Sequence, residues 1–373
     1  MSETITIAGA GPAGLAAAIT LARAGRHVIV HEAQGEVGYR FQGDFQGLEN
    51  WTTEQDALDR MRDWAMPVDF KAQPFKQGVA FDAWGRRYAA RSEIPLFYMV
   101  ERGPGPASLD SALLRQAQAL GVEVRFNSRL DRLEGPGILA TGPKTADAIA
   151  VGYHFDTPMD DGFWVICDNA LAPQGYAYLL IMQGRGTVKS CMFSGFKQEK
   201  RYVERTVAAF RRLVGLEMVN ATPHGGAGNF RIPQTASSGT HLAVGEQAGF
   251  QDTLWGFGIR LAMGSGVLAA RSLMENDDDY HRRWQQQIAP QMQASVVNRV
   301  FYSMLGNYGY RWFLRYWTHN KDTRQVIGAM YQPSRVKHWL LPWAKVCYES
   351  RRKDASCDHV DCGCIWCRHG SHA

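Results

Sequence analysis

Apolar and polar positions along the chain change period several times, and each change predicts an element. Thr4–Ala8 is a short β-rich run. Pro12–Ala24 is rich in alanine and leucine and predicts a helix with Gly25 as its stop. His27–His31 returns to β-branched and apolar residues. Strand, helix and strand in about 30 residues form a βαβ unit. Thr52–Trp64 predicts an amphipathic helix, capped by Thr52 and followed by Pro67. Val79–Tyr88 predicts a hairpin turning at Gly85. Ser108–Leu120 predicts a second clear helix, ended by Gly121, with strands over Val122–Phe126 and Gly137–Ala140. From Ala148 the pattern shifts to β-type stretches separated by turn residues: Ala148–Phe155, Phe163–Cys167, Tyr176–Ile181 and Thr187–Phe193. That spacing predicts an antiparallel sheet. Tyr202–Val214 reads as a helix and His241–Val244 as a strand. Gly256–Met274 opens on glycines and becomes helical. Beyond it the chain is helical and aromatic up to a cysteine-bearing tail, with no internal repeats and no low-complexity linker.

Composition narrows the picture. With 373 residues, 45% hydrophobic and 21% charged, the chain has material for two to three domain-sized units. No apolar run reaches the length of about 18 residues that a spanning helix needs. The first apolar run, Ile5–Leu21, is broken by Gly9, Gly11, Pro12 and Gly14 and lacks a preceding basic region, so no signal peptide is expected. A cytoplasmic location follows as an expectation, with contact at the inner membrane face left open. The net charge of +5 is unevenly placed. Residues 299–353 hold eleven Lys and Arg against only Asp322 and Glu349, interleaved with twelve aromatic residues. Such a stretch suits a helical cap over an apolar cavity, or contact with an anionic membrane. Nucleic acid is disfavoured, because no nucleic-acid module accompanies the charge. Of the seven cysteines, Cys167 and Cys191 lie in apolar segments and are expected to be buried and inert. Cys357, Cys362, Cys364 and Cys367 have ligand-like spacing, with Cys347, His359 and His369 nearby. Four thiolates suit zinc or an iron–sulfur cluster; a tail of reactive thiols is the alternative.

The strongest local signal is Gly9-Ala10-Gly11-Pro12-Ala13-Gly14, placed between a strand and a helix. Gly9 permits the tight turn. Gly11 lets the backbone approach a pyrophosphate, and Gly14 lets the helix pack close to the strand. The phosphates then lie at the helix N-terminus, where N–H groups and the dipole favour anions. Glu32 ends the second strand, 18 residues after Gly14, where a carboxylate accepts both ribose hydroxyls. That acid argues against a 2′-phosphate, hence against NADP, at this site.

The segment GAGPAGLAAAITLARAGRHVIVHEA, ending at Ala33, resembles the FAD-binding start of the glutathione-reductase-type flavoproteins. Within that group the chain is most similar to the geranylgeranyl reductase family, with the class A flavin hydroxylases as cousins. The likeness covers roughly residues 3 to 275. It implies FAD as the cofactor and Gly9, Gly11, Pro12, Ala13, Gly14, Glu32 and Ala33 as its first binding segment. Arg102, followed by SLDSALLRQAQALGVEVRF, is implied to lie near the flavin or its diphosphate. GILATGP implies Thr141 and Gly142 beside the adenosine. LAVGEQAGFQDTLWGFGIRLAMGSGVLAA resembles the second FAD segment, with Gly245 and Glu246 at the ribityl chain. There Gly256, Gly258 and Ile259 start a helix aimed at the flavin's pyrimidine end. QGYAYLLIMQGRGTVKSCMF resembles the strand pair that lines the isoprenoid cavity, implying that Tyr176 and Tyr178 face substrate. Two departures stand out. Glu246 replaces the usual Asp, and Tyr178, Leu180, Ile181 and Met182 depart from the family's Trp and Phe-Pro-Lys. RFQGDFQGLENW, from Arg40 to Trp51, is either a surface loop or a segment crossing the flavin face, with Arg40 and Gln46 as donors.

Together these readings predict an α/β fold (α+β overall) with a discontinuous Rossmann-like FAD domain over residues 1–75, 100–147 and 236–275. An antiparallel-sheet substrate domain takes 76–99 and 148–235, a helical basic and aromatic cap 276–350, and a cysteine-rich tail 351–373. The resemblance implies a reductase that passes a hydride from reduced flavin to a C=C bond of an isoprenoid or other lipid-like substrate. NAD(P)H would be a transient electron donor, and no general acid is named. The alternatives are a class A monooxygenase, and an electron carrier whose tail docks a redox partner protein.

Overall fold

The computed structural model describes residues 4–130, 133–143, 146–230, 232–238, 241–275, 279–319 and 322–351. In chain order it begins β1 (Ile5–Ala8), α1 (Pro12–Arg23), β2 (Val28–His31), β3 (Phe45–Glu49), α2 (Ala57–Asp63) and β4 (Ala72–Phe75). Then come β5 (Gln77–Asp82), β6 (Arg87–Arg91), β7 (Phe97–Glu101), α3 (Leu109–Ala119), β8 (Glu123–Arg125) and β9 (Gly137–Leu139). The middle of the chain forms β10 (Ala148–Asp156), β11 (Gly162–Cys167), β12 (Tyr176–Met182), β13 (Arg185–Met192), α4 (Glu199–Val214) and β14 (Val219–Gly228). β15 (Ser237–Ser238), β16 (His241–Ala243) and α5 (Ile259–Glu275) follow. Last are α6 (Tyr280–Gln287), α7 (Ala289–Thr318), α8 (Thr323–Tyr331) and α9 (Arg335–Arg351).

The chain divides into two units, each assembled from three segments. Unit 1 comprises residues 1–72, 100–143 and 230–292, and unit 2 comprises 73–99, 144–229 and 293–373. α6 therefore belongs to unit 1, whereas the cap expected over 276–350 would have kept it with the later helices.

Unit 1 is a Rossmann-like layer built on the sheet β15-β16-β9-β1-β2-β8. β1 runs parallel to both β2 and β9, and β16 runs parallel to β9. α1 is buried nearly all round: Leu15, Ala16, Ala17, Ala18, Ile19 and Leu21 have no exposed surface. Its small residues let it pack against α3 and α5. The closeness is set by Gly266 of α5, where a Cβ would overlap the Ala13 carbonyl oxygen. α3 starts at Ser108, whose Oγ accepts the Ser111 N–H. α2 is shorter than the sequence pattern predicts. Asp56 caps it by accepting the Leu58 N–H, and Thr52 instead donates its hydroxyl to Glu49 Oε1 at 2.7 Å.

Unit 2 is built on the sheet β14-β10-β13-β12-β11-β5-β6. Its neighbours are antiparallel except for β11 and β5, so the sheet is mixed where an antiparallel one was expected. One face carries Phe81, Phe155, Ile166, Ala177, Leu179, Ile181 and Val188 and packs under Val207 and Phe210 of α4. Strand alternation turns Tyr176, Tyr178 and Lys189 to the opposite face. Tyr178 pairs with Lys189, and Lys189 with Gly152, in one row across three strands.

The later helices are tied to this unit by polar contacts. Tyr302 Oη donates to the Gly175 carbonyl at 3.1 Å, and Asn307 Nδ2 donates to Asp168 Oδ1 at 2.8 Å. Arg311 Nε donates to Asp82 Oδ2 at 2.7 Å. α7 is interrupted at Gly306, whose φ of 60° and ψ of −175° no other residue type adopts easily.

Candidate functional site

The fingerprint closes β1 with a turn that only glycine accommodates. Gly9 has φ of 104°, and a Cβ there would overlap the Ala140 carbonyl oxygen. A Cβ on Gly14 would likewise overlap the Gly9 carbonyl oxygen. Gly11 differs: no protein atom lies within 4 Å of where its Cβ would stand. It is the N-cap of α1, no side chain caps that helix, and Pro12 occupies the first turn. The result is an open surface over an uncapped helix N-terminus of buried peptide units. This is the geometry that receives a pyrophosphate.

Glu32 is held in place beside this turn. Its Oε2 accepts the Ala10 N–H at 2.8 Å and its Oε1 accepts the Gln34 N–H at 3.0 Å. Each oxygen keeps a lone pair for a further donor, such as a ribose hydroxyl. Ala33 follows it on the surface. Thr141 donates its hydroxyl to Gln247 Oε1 at 2.6 Å, and Gly142 has φ of 90° with open space above it.

The second glycine segment packs on the first. The Gly245 N–H donates to Ser265 Oγ at 2.9 Å, and a Cβ on Gly245 would stand 2.9 Å from the Ala13 Cβ. Glu246 makes an ion pair with Arg40 at 2.6 Å, so Arg40 is tied to the second segment within the same unit. The loop before α5 is rigidly bonded: Asp252 accepts the Leu254 and Trp255 N–H groups and donates its own N–H to the Phe257 carbonyl. Gly256 has φ of 80° and an open face, Gly258 sits against Gln251, and Ile259 is buried at the start of α5.

Arg102 is 4% exposed and its guanidinium is committed to protein groups. It donates twice to Asp110, at 2.8 and 2.9 Å, and once to Gln46 Oε1 at 2.9 Å. It also lies over the Phe41 ring at 4.1 Å. The arginine therefore fastens the loop after Arg40 to α3. Gln46, expected as a donor to ligand, accepts from Arg102 through Oε1, and its Nε2 lies 3.5 Å from Asp44 Oδ2. The sequence reading missed Arg260, which bonds Glu49, Thr52 and, at 3.0 Å, Gln291 Oε1. An arginine in the first turn of an apolar helix was the available signal.

In unit 2, Tyr176 and Tyr178 stand side by side with ring centroids 5.9 Å apart. Lys189, opposite Tyr178, is 2% exposed. It too was missed, although a lysine inside the run Thr187–Phe193 is conspicuous. Cys167 and Cys191 are buried as expected. Burial pushes both thiols up to about 11, with Tyr302 hydrogen-bonded to Cys167 and Tyr176 to Cys191, so neither is a nucleophile at neutral pH. Cys347 is half-buried in α9. Cys357, Cys362, Cys364 and Cys367 lie outside the described residues.

A model of the NAD(P)-binding Rossmann-like domain matches residues 7–45. Over 80% of this chain and 84% of its own length, the digeranylgeranylglycerophospholipid reductase of Haloferax volcanii is 24% identical. The geranylgeranyl bacteriochlorophyll reductase-like protein of Thermoplasma acidophilum superposes with a TM-score of 0.68 at 16% identity, covering 94% of this chain and all of the other. The flavin-dependent brominase Bmp2 superposes with a TM-score of 0.66 at 13% identity over the same shares. The donor set around Gly11 and Glu32 fits FAD. Likeness to a reductase along most of the chain, on a fold shared with flavoenzymes, makes this chain similar to the geranylgeranyl reductases and an FAD-dependent oxidoreductase of their kind.

Proposed function

We propose that this enzyme saturates a C=C bond in the isoprenoid chain of a lipid. The observation that carries the reading is the match to a lipid reductase along four-fifths of the chain, coinciding with an aromatic strand face at Tyr176 and Tyr178. FAD, when bound and reduced, supplies the hydride. The residues of unit 1 bind and orient it. Glu32 receives the ribose hydroxyls, the open face of Gly11 admits the pyrophosphate, and the α1 N-terminus offsets its charge. The N-terminus of α5 would supply a positive dipole end to the pyrimidine side of a bound, reduced flavin. In unit 2, Tyr176 and Tyr178 supply apolar ring faces to a polyene chain. The Tyr178 hydroxyl and the Lys189 ammonium, neighbours across β12 and β13, are the proton sources we assign to the second carbon. NAD(P)H is the proposed transient donor, since the one dinucleotide fingerprint is taken by FAD. A peripheral contact with an anionic membrane would bring the enzyme to its substrate. Metal at the tail cysteines rests on thiol spacing alone, and metal analysis of anaerobically purified protein tests it: neither zinc nor iron at near one per chain ends that idea.

The reaction is tested by mixing anaerobically reduced protein with polyprenyl lipids and following the flavin's visible absorbance. Reoxidation with loss of one substrate double bond supports the proposal. Flavin that stays reduced until oxygen is admitted, followed by a hydroxylated product, replaces it with a monooxygenase.

A further inference from the structure

We propose that α7 and α9 form the face by which this protein docks on an anionic lipid bilayer. The inference rests on the peripheral-membrane reading above and names its surface. Both helices bury one side in unit 2, through Tyr310, Phe313 and Trp317 of α7 and Leu341 and Ala344 of α9. An ordinary surface helix is polar on the side away from the core. These two are not. On α7, Phe301 and Met304 before the break at Gly306, and Tyr308, Trp312 and Tyr316 after it, follow at three- and four-residue steps within each part, all exposed, with Tyr308 at 77% and Trp312 at 64%. On α9, Val336, Trp339, Trp343 and Val346 repeat the pattern, with Trp339 at 78%.

The two stripes join. Phe301 meets Trp343 with ring centroids 5.8 Å apart, and Tyr308 meets the exposed Trp84 at 4.8 Å. The charge along this stretch of the chain is nearly all positive. Arg315, Arg335 and Lys345 are exposed, while residues 293–351 contain only Asp322 and Glu349 as acids. Asp322 is occupied by the Ser92 hydroxyl and the Glu93 N–H. Contiguous exposed apolar surface of this kind marks an interaction site. Tryptophan and tyrosine with apolar body and polar edge, ringed by Lys and Arg, suit the boundary between acyl chains and anionic headgroups. A second copy of the same face would oppose positive charge with positive charge. None of the described helices is long and apolar enough to cross a membrane, so the contact is with one leaflet.

The test uses full-length, FAD-loaded protein and co-sedimentation with phosphatidylglycerol vesicles, phosphatidylcholine vesicles serving as the comparison. The wild type is expected to bind the anionic vesicles, less so at high salt. The double variant Trp312→Ser/Trp339→Ser should bind about tenfold or more weakly, with an unchanged flavin spectrum, because both side chains are mostly exposed. Arg315→Gln/Lys345→Gln should weaken binding to anionic vesicles only. Wild-type binding that both variants retain overturns this face and leaves the peripheral-membrane reading standing. No wild-type binding at low salt overturns both. Self-association in the ultracentrifuge that Trp312→Ser/Trp339→Ser abolishes, without vesicle binding, assigns the face to a second copy instead.

Discussion

Gly11 and Gly14 look alike in the fingerprint, yet the structure asks different things of them. At Gly14 a side chain has nowhere to go, since the Gly9 carbonyl oxygen occupies the Cβ position. At Gly11 the space is open and the backbone is extended, with φ of −78°. We therefore predict that Gly14→Val costs about 1–3 kcal/mol of stability or more through overpacking. Gly11→Val should leave the melting of the apoprotein unchanged while weakening FAD binding at least about tenfold, because its side chain fills the space proposed for the pyrophosphate. Thermal melts of apoprotein and FAD titration separate the two cases; equal destabilisation by both would sink the distinction. Glu32→Gln should weaken FAD binding by roughly 1.5–3 kcal/mol, the range for hydrogen bonds to a charged group. Asp82 carries a pH prediction in unit 2. Burial pushes its carboxyl up, but the Arg86 N–H, the Arg311 guanidinium, the Trp84 N–H and the Tyr88 hydroxyl outweigh burial and hold it below the ordinary value. A lowered folded pKa stabilises fully above the unfolded value near about 4, and that gain is lost as pH falls through the folded one. Asp82→Asn should thus cost about 2–3 kcal/mol at pH 7, a figure reduced because Arg311 is partly exposed. The gap to wild type should narrow below about pH 4, and urea denaturation at both pH values measures it. A gap that stays constant down to about pH 2 would remove Asp82 as its cause.

At the scale of elements, the sequence was readable wherever local period and burial agree. β1, α1 and β2 were legible because apolar residues fill them and glycines punctuate them. α2 was not, because Thr52 carries the right side chain for a cap and is used elsewhere by Glu49. The distinction lies in the tertiary partner and not in the local residues. β14 escaped for a different reason. Its sequence, VNATPHGGAG, has no alternation and much glycine, and only pairing with β10 makes it a strand. Register likewise decided which residues share a face. Tyr176 and Tyr178 could be named from the motif, but Lys189 joins Tyr178 only through the pairing of β12 with β13. If that row handles substrate, Tyr178→Phe and Lys189→Met should leave the flavin spectrum and FAD affinity unchanged while slowing anaerobic flavin reoxidation by a polyprenyl lipid. A loss of about 10²–10⁴-fold marks the proton donor, the range for general acid catalysis. A recovery of the Lys189 variant's rate by added small amines would be chemical evidence for the ammonium, which a merely structural lysine would not show. Full-speed reoxidation in both variants would leave the proton to water.

For the whole molecule, the division of labour is uneven. Every residue assigned to FAD lies in unit 1, and Tyr176, Tyr178 and Lys189 lie in unit 2. The interleaving was legible in outline, because glycine segments near residues 9 and 245 announce one domain at two distant points of the chain. Its boundaries were not, since the crossings at residues 72, 99, 143, 229 and 292 carry no composition change. α6 illustrates this: Tyr280 donates to the Ala243 carbonyl and Trp284 packs on Phe250, contacts invisible in its polar sequence. This partition makes cofactor binding a probe of cooperativity. A ligand that binds only the native state stabilises it by about 2.7 kcal/mol at a hundred times its Kd. For a unit of this size that corresponds to a rise in Tm of roughly 5–10 °C. Calorimetry of apoprotein with and without FAD should show that shift. If the units unfold independently, two transitions appear and only that of unit 1 moves. If a single transition moves as a whole, the units unfold together and the stability of unit 2 is linked to FAD. A thermogram that FAD leaves untouched would contradict the assignment of Gly11 and Glu32 to the cofactor.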